Sequence, residues 1–237
     1  HRRTLLTGLA LAPFAGLLGA ENKERLRVAQ IGTSHAHASG KMDALRSLPD
    51  LYDVVGFAEP IASRQASAQK AKSFAGLKYL TEAEILADPS IRVVVIETTL
   101  EDSARAAFAA LKAGKHIHLD KPGAEKHADF MALRRYAAEK GLTVQMGYML
   151  RYNPGIQLLF RAVKEGWLGD VMEIDASMGK LLDEAGRKRF AKIPGGGMYE
   201  LACHLVDTVV TLMGTPLYAL TVWFTWLVVR SSVRPVD

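Results

Sequence analysis

The sequence predicts an α/β fold, in which a doubly wound parallel sheet is followed by an incomplete α+β domain. Three observations support this prediction: short apolar runs, helical patterns between those runs, and a change of pattern near residue 151. Short runs that are apolar on both faces are typical of buried parallel strands. The runs are residues 25–31, 54–58, 93–96, 116–119 and 143–146.

Helical patterns occupy the intervals between the runs. Residues 102–113 and 124–140 repeat apolar side chains at helical spacing, with Asp102 as the predicted N-cap of the first helix and Gly114 as its end. A Thr-Glu-Ala-Glu capping box at 81–84 predicts a further helix start. Alternating strands and helices indicate right-handed crossovers between parallel strands.

The later part of the chain has fewer strand signals. It contains a helix at 154–165, an alternating strand at 171–177, a charged loop at 181–193, an amphipathic helix within 195–214 and an apolar run at 221–229. An open sheet needs three or more strands for independent stability. We therefore expect a truncated second domain.

The first 20 residues resemble an export signal. Arg2 and Arg3 precede an uncharged apolar stretch, which is shorter than the roughly 18–20 residues that span a bilayer. Paired arginines resemble a twin-arginine signal, which predicts a periplasmic protein without a stable membrane anchor; a buried or anchoring helix is the alternative. The predicted organisation is a signal peptide at 1–20, a first domain at 24–147 and the truncated second domain at 148–237.

The composition excludes several classes. Of the 237 residues, 49% are apolar and 23% charged, which is typical of a globular protein. The net charge of +5 is spread without a basic, aromatic-rich cluster, so we expect no nucleic-acid partner. Cys203 is the only cysteine, so no internal disulfide can form. A core position explains it more simply than a nucleophile beside His204.

The turn after the first run partly matches a dinucleotide site. Such a site needs a strand, a glycine turn and a helix N-terminus directed at the pyrophosphate. Residues 32–37 read Gly-Thr-Ser-His-Ala-His and keep only the first glycine of the GxGxxG pattern. The Ser34 hydroxyl can donate to a phosphate oxygen, whereas His37 stands where a glycine permits close packing. This signal alone is weak.

Two further residues follow strand-like runs. Glu59 ends the second run, where an acid accepts hydrogen bonds from ribose hydroxyls and repels a 2′-phosphate, which favours NAD over NADP. A solvated loop acid is the alternative. Lys121, in the sequence Asp120-Lys121-Pro122, follows the fourth run and is predicted to enter the ligand crevice, where its ammonium polarises a reacting oxygen. A surface lysine in a turn is the alternative.

A glycine-rich segment at 195–207 carries an acid–histidine pair. Glu200 and His204 are four residues apart and share one helix face. Histidine can take a proton from an alcohol near neutral pH. A purely structural pair is the alternative on spacing alone.

Together these segments resemble a known family. The glycine turn, GKHIHLDKP (114–122), GYMLRYNP (147–154) and GGGMYELACHLVD (195–207) occur in the order found in the Gfo/Idh/MocA oxidoreductases. The resemblance covers about residues 25–216. It implies a Rossmann domain that binds NAD(P), and a second domain whose open sheet covers a sugar, polyol or related hydroxy compound. A complete second sheet would also allow a homo-oligomer.

The resemblance assigns roles to residues. It implies that Lys121 stabilises an alkoxide, His204 accepts the hydroxyl proton and Glu200 orients the substrate, with Tyr148 and Arg151 as further substrate contacts. The cofactor residues that it implies are Gly32, Thr33, Ser34, His35, Glu59, Thr98, Thr99, Asp120 and Lys121.

The sequence departs from the family pattern at several places. Asp120 replaces the usual Glu, and Glu200 replaces the usual Asp. Residues 98–103 (TTLEDS) stand where the family commonly has TPNxxH. Beyond about residue 217 the chain does not resemble the family, so the activity of this chain by itself is in doubt.

Three different functions stay open. The first is a metal-dependent hydrolase, because His35 and His37, with His116 and His118, have the alternating spacing of its ligands. A (β/α)₈ barrel needs more strand–helix units than this chain contains, so no metal site is predicted. The second is a non-catalytic dinucleotide-binding module, and the third is an NAD-dependent glycoside hydrolase of the same superfamily.

Overall fold

The first domain is a five-stranded parallel sheet. The computed structural model describes residues 24–214, and its strands follow the order β2-β1-β3-β4-β5 with every neighbouring pair parallel. The strands are β1 Leu26–Ile31, β2 Tyr52–Ala58, β3 Val93–Ile96, β4 His116–Leu119 and β5 Val144–Met146. The strand order switches direction at β1 and β3, which is where open α/β sheets bind ligands.

Helices cover both faces of this sheet. Adjacent strand residues Phe57 and Ala58 belong to two separate apolar clusters, because successive side chains of a strand point to opposite faces. The predicted doubly wound arrangement is therefore confirmed. The connecting helices are α1 Ala38–Arg46, α2 Ala62–Lys70, α3 Glu82–Ala87, α4 Leu100–Lys112 and α5 His127–Glu139, with a 3₁₀ turn at Lys72–Phe74.

Local signals predicted most of these boundaries. The capping box is confirmed, since the Thr81 side chain accepts a hydrogen bond from Glu84 N at 3.1 Å and the Glu84 carboxylate binds Thr81 in return. The predicted start of α4 at Asp102 is wrong: Thr99 is the N-cap, and Asp102 binds Arg105 one turn further along. Acidic residues in a first helical turn are favourable without acting as the cap.

The described chain after β5 contains helices joined by irregular segments and no strand. It contains a 3₁₀ turn at Met149–Tyr152, α6 Pro154–Lys164, α7 Glu184–Phe190, a π-helical segment at Met198–Ala202 and α8 Cys203–Met213. Gly214 ends α8 with a positive φ of 78°, as the sequence predicts.

Two predictions in this part are wrong. Residues 171–177 form no strand and Met172 is 93% exposed, because no strand of the described chain lies beside them to accept their hydrogen bonds. The segment at 181–193 is not only a loop but contains α7. Asp183 caps this helix by accepting a hydrogen bond from Gly186 N at 2.7 Å.

The predicted signal peptide at 1–20 and the apolar run at 221–229 lie outside the described residues. Between residues 24 and 214, no helix has the length and apolar character needed to cross a bilayer.

Candidate functional site

The turn after β1 is held against the end of β3. Gly32 has a φ of 91°, and a Cβ atom there would lie 2.7 Å from the backbone of Glu97 and Thr98. The amides of Ser34 and His35 donate to Glu97 O at 3.1 and 3.0 Å. Glycine is required at position 32, because no other residue tolerates both the positive φ and this close approach.

Glu59 fastens the same turn to the end of β2. Its carboxylate is buried and accepts hydrogen bonds from Thr33 N and Ile61 N, both at 2.8 Å, and from the Thr33 hydroxyl. The burial excludes the alternative of a solvated loop acid. Arg64 lies alongside, since its Nη2 donates to Thr33 O at 2.9 Å and its Nε is 3.9 Å from Glu59 Oε2.

A cavity of about 300 Å³ opens beyond the carboxyl ends of the strands. It brings together four of the predicted cofactor residues, which the sequence places on three separate turns. The lining residues are Ser34, Glu59, Pro60, Ile61, Thr98, Thr99, Asp102 and Arg105. A buried acid at a cavity beyond β1, β2 and β3 matches the adenosine half of a dinucleotide site.

Asp120 is the centre of a polar cluster at the ends of β1, β3 and β4. Its carboxylate is buried and lies 3.1 Å from His37 Nδ1, 3.7 Å from His35 Nδ1 and 3.8 Å from Lys41 Nζ. Burial by itself raises the pKa of Asp120, but the hydrogen bond from His37 and the nearby positive charges lower it well below its ordinary value. The carboxylate also accepts a hydrogen bond from Lys121 N at 2.7 Å.

Glu97 belongs to this cluster, although none of the sequence motifs pointed to it. Its carboxylate is completely buried, and neither oxygen has a well-aligned hydrogen bond within the described residues, although His35 Nδ1 lies 3.2 Å from Oε2. Burial raises the pKa of Glu97. A signal was available, because Glu59, Glu97 and Asp120 each follow the last residue of a strand directly.

Lys121, which follows β4, forms an ion pair with Glu200 from the later, helical part of the chain. The Lys121 side chain is 3% exposed, and its Nζ donates to Glu200 Oε1 at 2.6 Å and to Glu200 O at 3.0 Å. This burial excludes the alternative of a surface lysine. Glu200 lies in the π-helical segment, one turn before α8.

His204 lies in the same region, near the start of α8. It is 5% exposed, its Nδ1 has no hydrogen-bond partner among the described residues, and the Tyr148 ring packs edge-on at a centroid distance of 6.2 Å. Burial lowers the pKa of His204, and the charges of Lys121 and His37 lower it further. The imidazole is therefore neutral at pH 7 and able to accept a proton.

The environments of two other residues bear on their predicted roles. Arg151 forms a bidentate pair with Asp207, at 2.7 and 2.6 Å, so its guanidinium is engaged within the chain. Burial raises the pKa of Cys203 to about 11. The thiol is therefore protonated near neutral pH, which argues against its action as a nucleophile.

The parallel sheet, the glycine turn at its switch point and the buried acid after β2 define a Rossmann-type dinucleotide-binding protein. The family comparison agrees, because residues 26–148 match the oxidoreductase family with an NAD-binding Rossmann fold. The chain belongs to this family, the Gfo/Idh/MocA oxidoreductases, as the sequence motifs predicted.

Individual relatives are similar over different lengths. An uncharacterised oxidoreductase of Schizosaccharomyces pombe is 28% identical over 81% of this chain and 52% of its own length. The Bacillus subtilis scyllo-inositol 2-dehydrogenase (NADP⁺) is 27% identical over 56% of this chain and 38% of its own length. The crystal structure of an NAD-binding protein from Listeria innocua has a TM-score of 0.61 at 23% identity, and the match covers 79% of this chain and 54% of that one. The chain thus spans about half the length of the relatives that it matches.

Proposed function

We propose that this protein is an NAD-dependent oxidoreductase that transfers hydride between the cofactor and a secondary alcohol of a sugar or polyol. The observation that carries the proposal is the buried Lys121–Glu200 pair beside the neutral His204, beyond the carboxyl end of β4. Family membership and an inositol dehydrogenase among the relatives support the substrate class.

Each of the three side chains has a chemical role that its contacts allow. His204 is neutral and buried, so it can take the hydroxyl proton of the substrate. The Lys121 ammonium has three N–H donors, of which two bind Glu200. The third can stabilise the developing alkoxide. Glu200 orients the ammonium and can accept a hydrogen bond from a second substrate hydroxyl.

The first domain fits a nicotinamide dinucleotide. The cavity lined by Ser34, Glu59, Thr98 and Thr99 would hold the adenosine half, with the Glu59 carboxylate facing the ribose hydroxyls. When bound, the nicotinamide supplies the hydride acceptor. A carboxylate at this place repels a 2′-phosphate, which supports NAD as the cofactor in preference to NADP.

The test combines cofactor binding with turnover. The full chain should bind NAD in isothermal titration calorimetry and reduce it with at least one member of a panel of inositols and aldoses. Lys121→Met should abolish turnover while NAD binding stays measurable, because the ammonium acts on the substrate oxygen. The double variant Lys121→Met/Glu200→Gln removes both charges. It replaces Lys121→Met in the turnover assay if the single variant does not fold.

Each outcome has a defined consequence. Unchanged turnover in the Lys121 variants would refute the role of the ammonium. NAD binding without turnover on any substrate would favour a non-catalytic dinucleotide-binding module. Release of free sugar from a glycoside, without net NADH formation, would identify an NAD-dependent glycoside hydrolase. An exposed lysine, Lys126, provides the matched control as Lys126→Met.

We propose in addition that residues 1–20 direct export to the periplasm through the twin-arginine route. The support is the Arg2-Arg3 pair ahead of an apolar stretch. A reporter fused behind residues 1–24 should reach the periplasm, and Arg2→Lys/Arg3→Lys should retain it in the cytoplasm. Export that is equal in both forms would contradict this route.

A further inference from the structure

The polar cluster at the ends of β1, β3 and β4 contains a set of metal-ligating atoms that the hydride-transfer chemistry does not use. One ring nitrogen of His35, one ring nitrogen of His37 and an Asp120 carboxylate oxygen all lie within 4.8 Å of one another. Two imidazoles and one carboxylate are a ligand set that holds zinc and other first-row transition ions. We propose that His35, His37 and Asp120 bind a divalent transition-metal ion.

The interatomic distances suit such an ion. Ligand atoms about 2.0–2.2 Å from a tetrahedral zinc lie roughly 3.4 Å from each other. Here Asp120 Oδ2 is 3.1 Å from His37 Nδ1 and 3.7 Å from His35 Nδ1. Two of the three distances between ligand atoms are therefore close to those around a bound ion.

An independent observation comes from Glu97. Its side chain is completely buried, has no well-aligned hydrogen bond within the described residues, and points its Oε2 to within 3.2 Å of His35 Nδ1. A buried carboxylate without a partner is costly unless a cation or a donor satisfies it. A divalent ion beside His35 would supply that charge.

Two groups of side chains in the cluster could hold an ion, and the position of Lys41 favours one of them. Glu97, His118 and Asp120 form a second group with suitable spacing. However, Lys41 Nζ lies 2.8 Å from His118 Nε2, so the ammonium already occupies that side of the cluster. The ammonium is 3.8 Å from Asp120 Oδ2, farther than the 3.1 Å that separates this oxygen from His37 Nδ1.

The ligand types select the class of ion. Imidazole nitrogens favour zinc and its transition-metal neighbours over magnesium and calcium, which prefer oxygen ligands. Three protein ligands leave a coordination position open to water or a substrate oxygen. The proposal does not depend on the proposed function, and it assigns His35 and Asp120 to the ion rather than to the dinucleotide.

Zinc binding by the tag-free full chain is the test. After treatment with a chelator and removal of the chelator, calorimetry and elemental analysis should show one Zn²⁺ per chain with a Kd in the micromolar range or tighter. His37→Gln and His35→Ala/His37→Ala should each weaken this binding at least 100-fold. His127→Gln, at an exposed histidine at the start of α5, should bind as the unaltered chain does.

Spectroscopy locates the ion. Co²⁺ in place of Zn²⁺ should give visible absorption bands that are lost in Asp120→Asn, and circular dichroism verifies that each variant is folded. Zinc should also raise Tm in the unaltered chain but not in the double-histidine variant. Less than stoichiometric binding at 100 μM Zn²⁺, or equal binding by the double-histidine variant, would overturn the proposal.

Discussion

Lys121 Nζ lies 2.6 Å from Glu200 Oε1, although 79 residues separate the two in the chain. The pair joins the turn after β4 to the π-helical segment, and both side chains are largely buried. It therefore links the sheet with the helix that carries His204, and it fixes the direction of the ammonium.

The pair makes a prediction about stability. Lys121→Met leaves the Glu200 carboxylate buried without a counter-ion, which should lower the free energy of unfolding by about 3–5 kcal/mol. The double variant Lys121→Met/Glu200→Gln should lose less than the sum of the two single losses, because it buries no unpaired charge. Urea denaturation of Lys121→Met, Glu200→Gln and the double variant measures these losses.

The exposed Lys126→Met should stay within roughly 0.5 kcal/mol of the unaltered chain. Additive losses in the double variant would mean that Lys121 and Glu200 do not interact in the folded protein.

The central strands β1 and β3 could be predicted because most of their residues are buried on both faces. Runs such as VVVI are apolar throughout, and β3 and β4 span the ranges that the sequence predicts. Segments whose structure depends on a neighbour could not be predicted in this way. Residues 171–177 alternate as a strand does, yet alternation becomes a strand only beside another strand.

In the candidate site, too, residues with a local sequence signal could be predicted, and residues whose contacts are distant in the chain could not. Glu59, Lys121 and His204 could be named as candidates because each has a local signal, either a position at a strand end or helical spacing to an acid. The sequence did not predict that Lys41 and Glu97 belong to the polar cluster, because their contacts involve residues distant in the chain. The predicted role of His35 at the cofactor likewise took no account of its 3.2 Å approach to Glu97.

The lowered pKa of His204 predicts the pH dependence of alcohol oxidation. Burial comes first among the causes, followed by the charges of Lys121 and His37; Asp120 and Asp207 act in the opposite direction. The base must be neutral, so activity is present above this pKa and is lost as the pH falls through it. The acidic limb of kcat/KM should therefore lie below pH 6.5, the ordinary value for histidine.

Two variants check the assignment of this limb. His204→Asn should remove most of the activity at every pH. In Lys121→Met the pKa of His204, followed by NMR, should rise, since a nearby positive charge has been removed. An acidic limb above pH 7, or an unchanged titration in that variant, would contradict the role of His204.

Glu59 should control the choice between the two nicotinamide cofactors. In Glu59→Ser the repulsion of a 2′-phosphate is gone, while Arg64, whose Nε lies 3.9 Å from Glu59 Oε2, stays available to bind it. The ratio of the NADP to the NAD dissociation constant should fall by about tenfold or more, equivalent to roughly 1.4 kcal/mol. Calorimetry with both cofactors measures this ratio.

The matched control is Glu101→Gln, an exposed acid in the first turn of α4. It should leave the cofactor ratio unchanged. An equal loss of both cofactors in Glu59→Ser would instead show that Glu59 serves only to hold Thr33 and Ile61 in place.

Substitution of Arg151, which pairs with Asp207, tests whether this arginine stabilises the fold or contacts the substrate. Asp207 is largely buried and accepts two hydrogen bonds from the guanidinium. Arg151→Ala should therefore lower the free energy of unfolding by about 1–3 kcal/mol, because a buried acceptor loses its partner. Arg161→Ala is the matched control: its pair with Glu165 is exposed, so its loss should stay below about 1 kcal/mol. If Arg151→Ala raised KM with no loss of stability, the guanidinium would act on the substrate, as the sequence motif predicts.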